Sequence, residues 1–181
     1  MPQTATPESI ELTPISEANL RRLARGEPVE LAPLTVAEGA LPPPKTVARA
    51  LAQLALATPA LWCVPFLVVS TARATVLGAC GFKTAPVDGR VEISYGLARA
   101  ERGRGVATSA IGQLLERAAA SGLVDEVVAH IVPGNIASSR LAARLGFTPE
   151  GLLDDADGEQ VMRWIWRVPH RPSTDNATNQ Q

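Results

Sequence analysis

Apolar and polar residues alternate from Ile10 to Ile15, which predicts a first β-strand. Ser16 then offers a cap for a helix over 17–25, and Gly26 supplies its stop. Residues 29–31 look extended, and the proline-rich GALPPPK at 39–45 reads as a stiff connection. After it, Thr46 is placed to cap a helix through Ala57, with Val47, Leu51, Leu54 and Ala55 on one face. From Leu61 the texture becomes β-branched and aromatic. LWCVPFLVVS and ATVLGACGFK read as strands separated by the polar TAR, and Asp88-Gly89 marks a tight turn before VEISYGLA at 91–98.

The second half changes period. Ala110, Leu114 and Ala118, with Ile111 and Leu115, form a helical stripe that Gly122 ends. Residues 125–132 are again strand-like, and 136–146 are helical, with Leu141 and Leu145 one turn apart. FTPEGLL and EQVMRWIWRV predict two last strands across the turn-like DDADG. The single strand–helix–strand step implies one parallel pairing, between 91–98 and 125–132, in a mostly antiparallel sheet. The class is α/β (α+β), with 1–168 as one domain and 169–181 as a polar, frayed tail.

Composition narrows the choices. The chain has 181 residues, 46% hydrophobic and 19% charged, with a net charge of −1. That suits a globular core and gives no basic field for nucleic acid. No basic start followed by an apolar run marks a signal peptide, and 60–69 is too short to span a bilayer, so a cytoplasmic location is expected. Cys63 and Cys80 have neither disulfide nor zinc spacing, so they read as small buried hydrophobes, and no metal is expected.

The chemistry concentrates at AERGRGVATSAIG, residues 100–112. A nucleotide P-loop needs Gly-Lys-Ser/Thr, which is missing, and a dinucleotide fingerprint lacks its third glycine at Thr108. The pattern Arg-x-x-Gly-x-Ala fits Arg102, Gly103, Arg104, Gly105, Val106 and Ala107. A helix starting near Gly105 leaves its first amides unpaired at the positive end of its dipole, where small residues admit a pyrophosphate. The bland alternative is a turn into an amphipathic helix.

Together with NIASSRLAARLGF at 135–147, in the same order and separation, RGRGVA at 102–107 resembles the GNAT superfamily of N-acetyltransferases. The similarity is strongest to the ribosomal-protein N-terminal acetyltransferase branch, and it covers roughly residues 60–168. It implies a mixed sheet with a V-shaped splay between two parallel strands, flanked by helices, and acetyl-CoA seated in the splay. It also implies that amides around Arg104, Gly105, Ala107 and Thr108 hold the pyrophosphate. Amides at Leu97 and Ala98 would hold the pantetheine arm and thioester. Asn135 would meet the cofactor arm, and it also suits a helix cap. Ser138 would steady or protonate the leaving thiolate. The tyrosine that many relatives use for that job has no counterpart at 145–147, and the only tyrosine is Tyr95.

The acceptor amine must lose a proton before it attacks. Glu92 is the first candidate base, on a strand entering the splay, where an apolar floor would raise its pKa. His130 is the runner-up. Glu150, Asp154, Asp155, Asp157 and Glu159 could attract a cationic amine, although a solvated hairpin tip is the preferred reading. Trp164 and Trp166 share one strand face, which suits core or dimer packing better than substrate stacking, so a homodimer is one expected partner. The resulting expectation is an acetyl-CoA-dependent N-acetyltransferase acting on a primary amine, a protein or peptide N-terminus or a small amine, by direct attack in a ternary complex. A non-catalytic acyl-CoA-binding or sensing domain on the same fold is the alternative.

Overall fold

The computed structural model describes residues 8–155 and 158–169. The expected tail beyond 169, the first seven residues and Asp157 lie outside the described residues.

Eight strands form one sheet: β1 (Ile10–Pro14), β2 (Thr35–Val36), β3 (Phe66–Ser70), β4 (Thr75–Phe82), β5 (Arg90–Leu97), β6 (Glu126–Ile131), β7 (Thr148–Asp154) and β8 (Gln160–Arg167). Their order across the sheet is β1-β3-β4-β5-β6-β8-β7, with β2 beside β4. All neighbours on this path are antiparallel except β5 and β6. The helices are α1 (Glu17–Ala24), α2 (Pro44–Ala55), α3 (Ala60–Cys63), α4 (Val106–Ala120) and α5 (Ile136–Arg144).

Most boundaries follow local chemistry. Ser16 caps α1, its hydroxyl accepting from the Asn19 amide at 3.2 Å. Asp88 and Gly89 both take positive φ, and Val87 and Arg90 exchange two backbone hydrogen bonds, as a type I′ hairpin demands. Four expectations need correction. Helix α2 starts at Pro44 without a side-chain cap, because a proline's fixed φ and missing N–H suit the first helical turn; Thr46 lies inside it. Ala55 is exposed, and Val47 and Ala50 are the buried residues of that helix. Residues 60–63 make one helical turn instead of extending strand β3, an ambiguity inherent in short apolar runs. The single expected parallel pairing is joined by a second, between the short strand Thr35–Val36 and β4.

Side-chain alternation gives each sheet face its own core. One core joins Val91, Ile93, Val127, Ala129 and Ile131 to Ile111 and Leu114 of α4, with Ala142 of α5. The other joins Leu67, Val69 and Val76 to Leu20 of α1 and Val47 and Ala50 of α2. Helices therefore cover both faces. Trp164 and Trp166 both pack against the first core, as their spacing requires.

The β5–β6 pairing is short. It runs from Arg90↔Glu126 through Glu92↔Val128 and stops, although both strands continue. Beyond that point the strands splay, and the cleft described next opens there. No helix among the described residues is long and apolar enough to cross a membrane.

Candidate active site

Two glycines shape the loop that enters α4. Gly103 and Gly105 have φ of 76° and 80°, a region that penalises any side chain. Gly105 is the N-cap, and its carbonyl accepts from the Ser109 amide at 3.1 Å to close the first turn. The amides of Val106, Ala107 and Thr108 are left as donors at the helix's positive end. Arg102 folds back and donates from Nε to the Leu97 carbonyl at 3.3 Å, tying the loop to the end of β5.

Arg104 turns away from the cleft. Its guanidinium meets Glu101 at 3.3 Å, and Glu101 also receives both ends of Arg73, at 3.0 and 2.7 Å. Glu101 is 6% exposed. The paired Arg73 guanidinium holds its carboxyl below the ordinary glutamate value. Arg73 in turn bonds Glu8 at 2.7 Å. This cluster anchors the loop to the β3–β4 turn.

The cleft has a volume of about 380 Å³. Of the residues expected to bind the cofactor, Leu97, Arg102, Gly103, Gly105, Val106, Ala107, Thr108 and Asn135 line it. Ser138 and Tyr95, the chain's only tyrosine, also line it, and so do Gly96, Arg140 and Arg144, which the sequence pattern did not mark. Arg140 and Arg144 stand one turn apart on α5 and add two guanidinium groups to the cleft wall. Only their i, i+4 spacing after Asn135 could have signalled them.

Strand β5 presents its backbone selectively. The Ala98 amide is spent on the Leu77 carbonyl at 2.8 Å, and the Ala98 side chain lies in the second core, so Ala98 is not a donor to the cleft. In an antiparallel pair these bonds alternate, so the amides of Tyr95 and Leu97 face the splay. Gly78 makes room for this arrangement. A Cβ there would lie 2.3 Å from the Gly96 carbonyl oxygen and 2.6 Å from a Leu97 methyl.

Asn135 caps α5, its side-chain oxygen accepting from the Ser138 amide at 3.1 Å. The Tyr95 hydroxyl interacts with the Ser138 side chain. Burial raises the Tyr95 pKa, only partly opposed by that hydrogen bond, so the phenol stays protonated and can donate.

Glu92 does not line this cleft. Its side chain alternates away from Ile93 and Tyr95, onto the α1–α2 face of the sheet. There it meets a polar cluster and not an apolar floor. Glu92 Oε1 pairs with Lys83 Nζ and lies 3.0 Å from His130 Nδ1. Two residues along the same strand face, Ser94 Oγ accepts from Arg49 of α2 at 3.4 Å. Glu150 pairs with Arg163 and Arg167, and Asp154 and Glu159 flank the β7–β8 turn.

Both cysteines are buried free thiols. Burial pushes Cys80 up to about 12 and raises Cys63 as well, which keeps both protonated and poorly nucleophilic. No group of His, Cys, Asp and Glu among the described residues could hold a metal ion.

The family model that matches describes an acetyltransferase (GNAT) domain and spans residues 10–148. An uncharacterized N-acetyltransferase p20 of Bacillus licheniformis is 34% identical over 91 residues, 50% of this chain and 51% of that protein. An L-methionine sulfoximine/L-methionine sulfone acetyltransferase of Pseudomonas aeruginosa is 37% identical over 105 residues, 56% of this chain and 60% of that protein. The chain thus aligns with about half to three-fifths of the length of these curated relatives. Among solved structures, a ribosomal L7/L12 α-N-protein acetyltransferase in complex with coenzyme A superposes with a TM-score of 0.63. It is 20% identical, and the match covers 88% of this chain and 94% of that one, a likeness of fold.

Proposed function

This chain belongs to the GNAT acetyltransferase family, and we propose that it transfers the acetyl group of acetyl-CoA to a primary amine by direct attack in a ternary complex. The observation that carries the proposal is the convergence of the α4 amides, Arg102, Arg140, Arg144 and the outward-facing β5 amides on one cleft at the splay. The reading takes 1–168 as one N-acetyltransferase domain working in the cytoplasm.

The donor set fits acetyl-CoA. Unpaired helix amides and guanidinium groups suit its phosphates, and the β5 backbone at Tyr95 and Leu97 suits the amide-bearing pantetheine arm. When bound, acetyl-CoA supplies an activated acyl group whose leaving group is the coenzyme thiolate. The Tyr95 phenol, with Ser138 beside it, is the cleft's candidate hydrogen-bond donor to that thiolate. Tyr95 on β5 would thus take the place of the hydroxyl missing at 145–147.

The acceptor approaches from the opposite face, through the gap between β5 and β6. Glu92 and His130 form the proton-accepting pair there. With Nδ1–H donating to Glu92, His130 Nε2 is left to receive a proton from the acceptor ammonium, directly or through water. The buried, protonated thiols of Cys63 and Cys80 suit a route without a covalent acyl-enzyme.

Calorimetric titration with acetyl-CoA, together with thiol release against an amine panel, tests the proposal. Wild type should bind and release thiol with at least one acceptor. Gly105→Glu, which places a carboxylate on a strained φ beside the pyrophosphate, should abolish binding. Binding without release on any amine would reduce the protein to an acyl-CoA sensor.

A further inference from the structure

The face of the sheet opposite the cofactor cleft carries a specific charge arrangement. Arg49 reaches down from α2 to Ser94 Oγ, its one direct hydrogen bond among the described residues. Its guanidinium is half-buried, and that burial lowers its pKa, with the Glu92 charge acting in the opposite direction. A guanidinium has five donors, and a single long bond leaves most of them unused. Lys83 adds a second cation, on Glu92. The cluster of Arg49, Lys83 and Glu92 carries one net positive charge. That is an unfavourable floor for a polycationic acceptor and a favourable one for an acceptor that brings its own anion.

The spacing is also specific. Glu92 and Ser94 lie on one strand face two residues apart, about 6.7 Å in extended chain. In an α-amino acid the amine nitrogen and a carboxylate oxygen are about 3 Å apart. Ser94 seats the Arg49 guanidinium two positions along the same strand face from Glu92, so one small molecule can meet both groups. An α-amino acid can therefore present its amine to Glu92 and His130 while its carboxylate takes the open donors of Arg49.

We infer that the acceptor is a small amino acid whose α-carboxylate is held by Arg49, positioned by Ser94, and whose α-amine faces the Glu92–His130 pair. This rests on the acetyl-transfer reading above and narrows it. It makes Arg49 the specificity-determining residue of the acceptor side. Polyamines and aminoglycosides, which carry several cations and no carboxylate, are selected against by the same charges.

Thiol release is measured with acetyl-CoA and three acceptors: L-methionine sulfone, its α-carboxamide, and spermidine. The expected result is a kcat/KM at least tenfold higher for the free acid than for the carboxamide, and lower still for spermidine. Arg49→Gln should collapse the acid-to-amide ratio toward one. Arg49→Lys should restore part of it, and the acetyl-CoA affinity of both variants should stay within twofold of wild type. Equal rates on acid and carboxamide, or a preference for spermidine, would overturn the inference and leave acetyl transfer standing. The wild-type comparison gives this answer even if the variants fold poorly. No thiol release from any of the three, with acetyl-CoA bound, would overturn the inference; no release from a wider amine panel would remove the acetyl-transfer reading too.

Discussion

Glu92 and His130 stand on neighbouring parallel strands, and Oε1 of the carboxylate lies 3.0 Å from Nδ1 of the imidazole. Two residues that sequence reasoning ranked as rival bases are thus one unit. A carboxylate on Nδ1 fixes which ring nitrogen is free to accept a proton. Glu92→Gln should lower kcat about 100-fold, within the usual range for general-base loss. Acetyl-CoA KM should hardly change, because Glu92 lies on the other face. His130→Gln should lower kcat by a similar factor, again with little change in acetyl-CoA KM. An unchanged kcat in both variants would reassign the base.

Tyr95 and Ser138 predict a separate loss on the donor side. Tyr95→Phe keeps the ring packing and removes the hydroxyl, so kcat should fall about tenfold, the order of one lost hydrogen bond of about 1.4 kcal/mol. Ser138→Ala should cost less, and the double variant little more than Tyr95→Phe alone, since the two hydroxyls interact. Steady-state kinetics with acetyl-CoA as the varied substrate reads this. Additive losses would separate their roles.

The Arg73–Glu101–Arg104 cluster predicts an acid-sensitive stability term. The Glu101 pKa is lowered in the folded chain. Below its ordinary value of about 4.5, the unfolded chain binds a proton that the folded chain resists, so stability falls as pH falls. The contribution is complete above that value. Glu101→Gln should lower Tm at neutral pH by roughly 5 °C, for a loss of about 2 kcal/mol in a chain of this size. It should also shrink the wild-type decline between about pH 4.5 and 3. Thermal melts across that range check both. An unchanged acid slope would mean that other carboxylates carry it.

Gly78 predicts a coupling between strand packing and cofactor affinity. A methyl there collides with the Gly96 carbonyl oxygen at 2.3 Å, backbone that cannot rotate aside. Gly78→Ala should destabilise by about 2 kcal/mol or more, as overpacking does. It should also raise acetyl-CoA Kd severalfold by displacing Gly96 and Leu97, which line the cleft. Denaturant melts and calorimetry together test this; destabilisation with unaltered Kd would uncouple strand from cleft.

The legible parts were those whose cause is local. Gly103 and Gly105 announce a loop at positive φ, Asn135 a cap, and Asp88-Gly89 a hairpin, because each effect spans a few residues. The parallel pairing could be placed because a strand–helix–strand order leaves few topologies. Arg49 and Lys83 could not be assigned to Glu92 and Ser94, because their contacts depend on how α2 and β4 pack against β5. Likewise the Ala98 amide was assigned to the cofactor by motif, whereas the β4 register commits it to Leu77. The helical turn at 60–63 escaped because four apolar residues have no readable period.

Only three backbone register pairs join the β4–β5 half of the sheet to the β6–β8 half. Past them, cohesion between the halves passes to the Glu92–His130 hydrogen bond and to apolar side chains such as Ile93, Ala129, Ile111 and Phe147. Hydrogen bonds resist sliding because they are directional, while apolar contact is not. The seam is therefore latched by a side chain: past the Glu92↔Val128 rung the two leaves of the sheet cannot part without breaking the Glu92–His130 contact, which makes that pair the clasp of the splay.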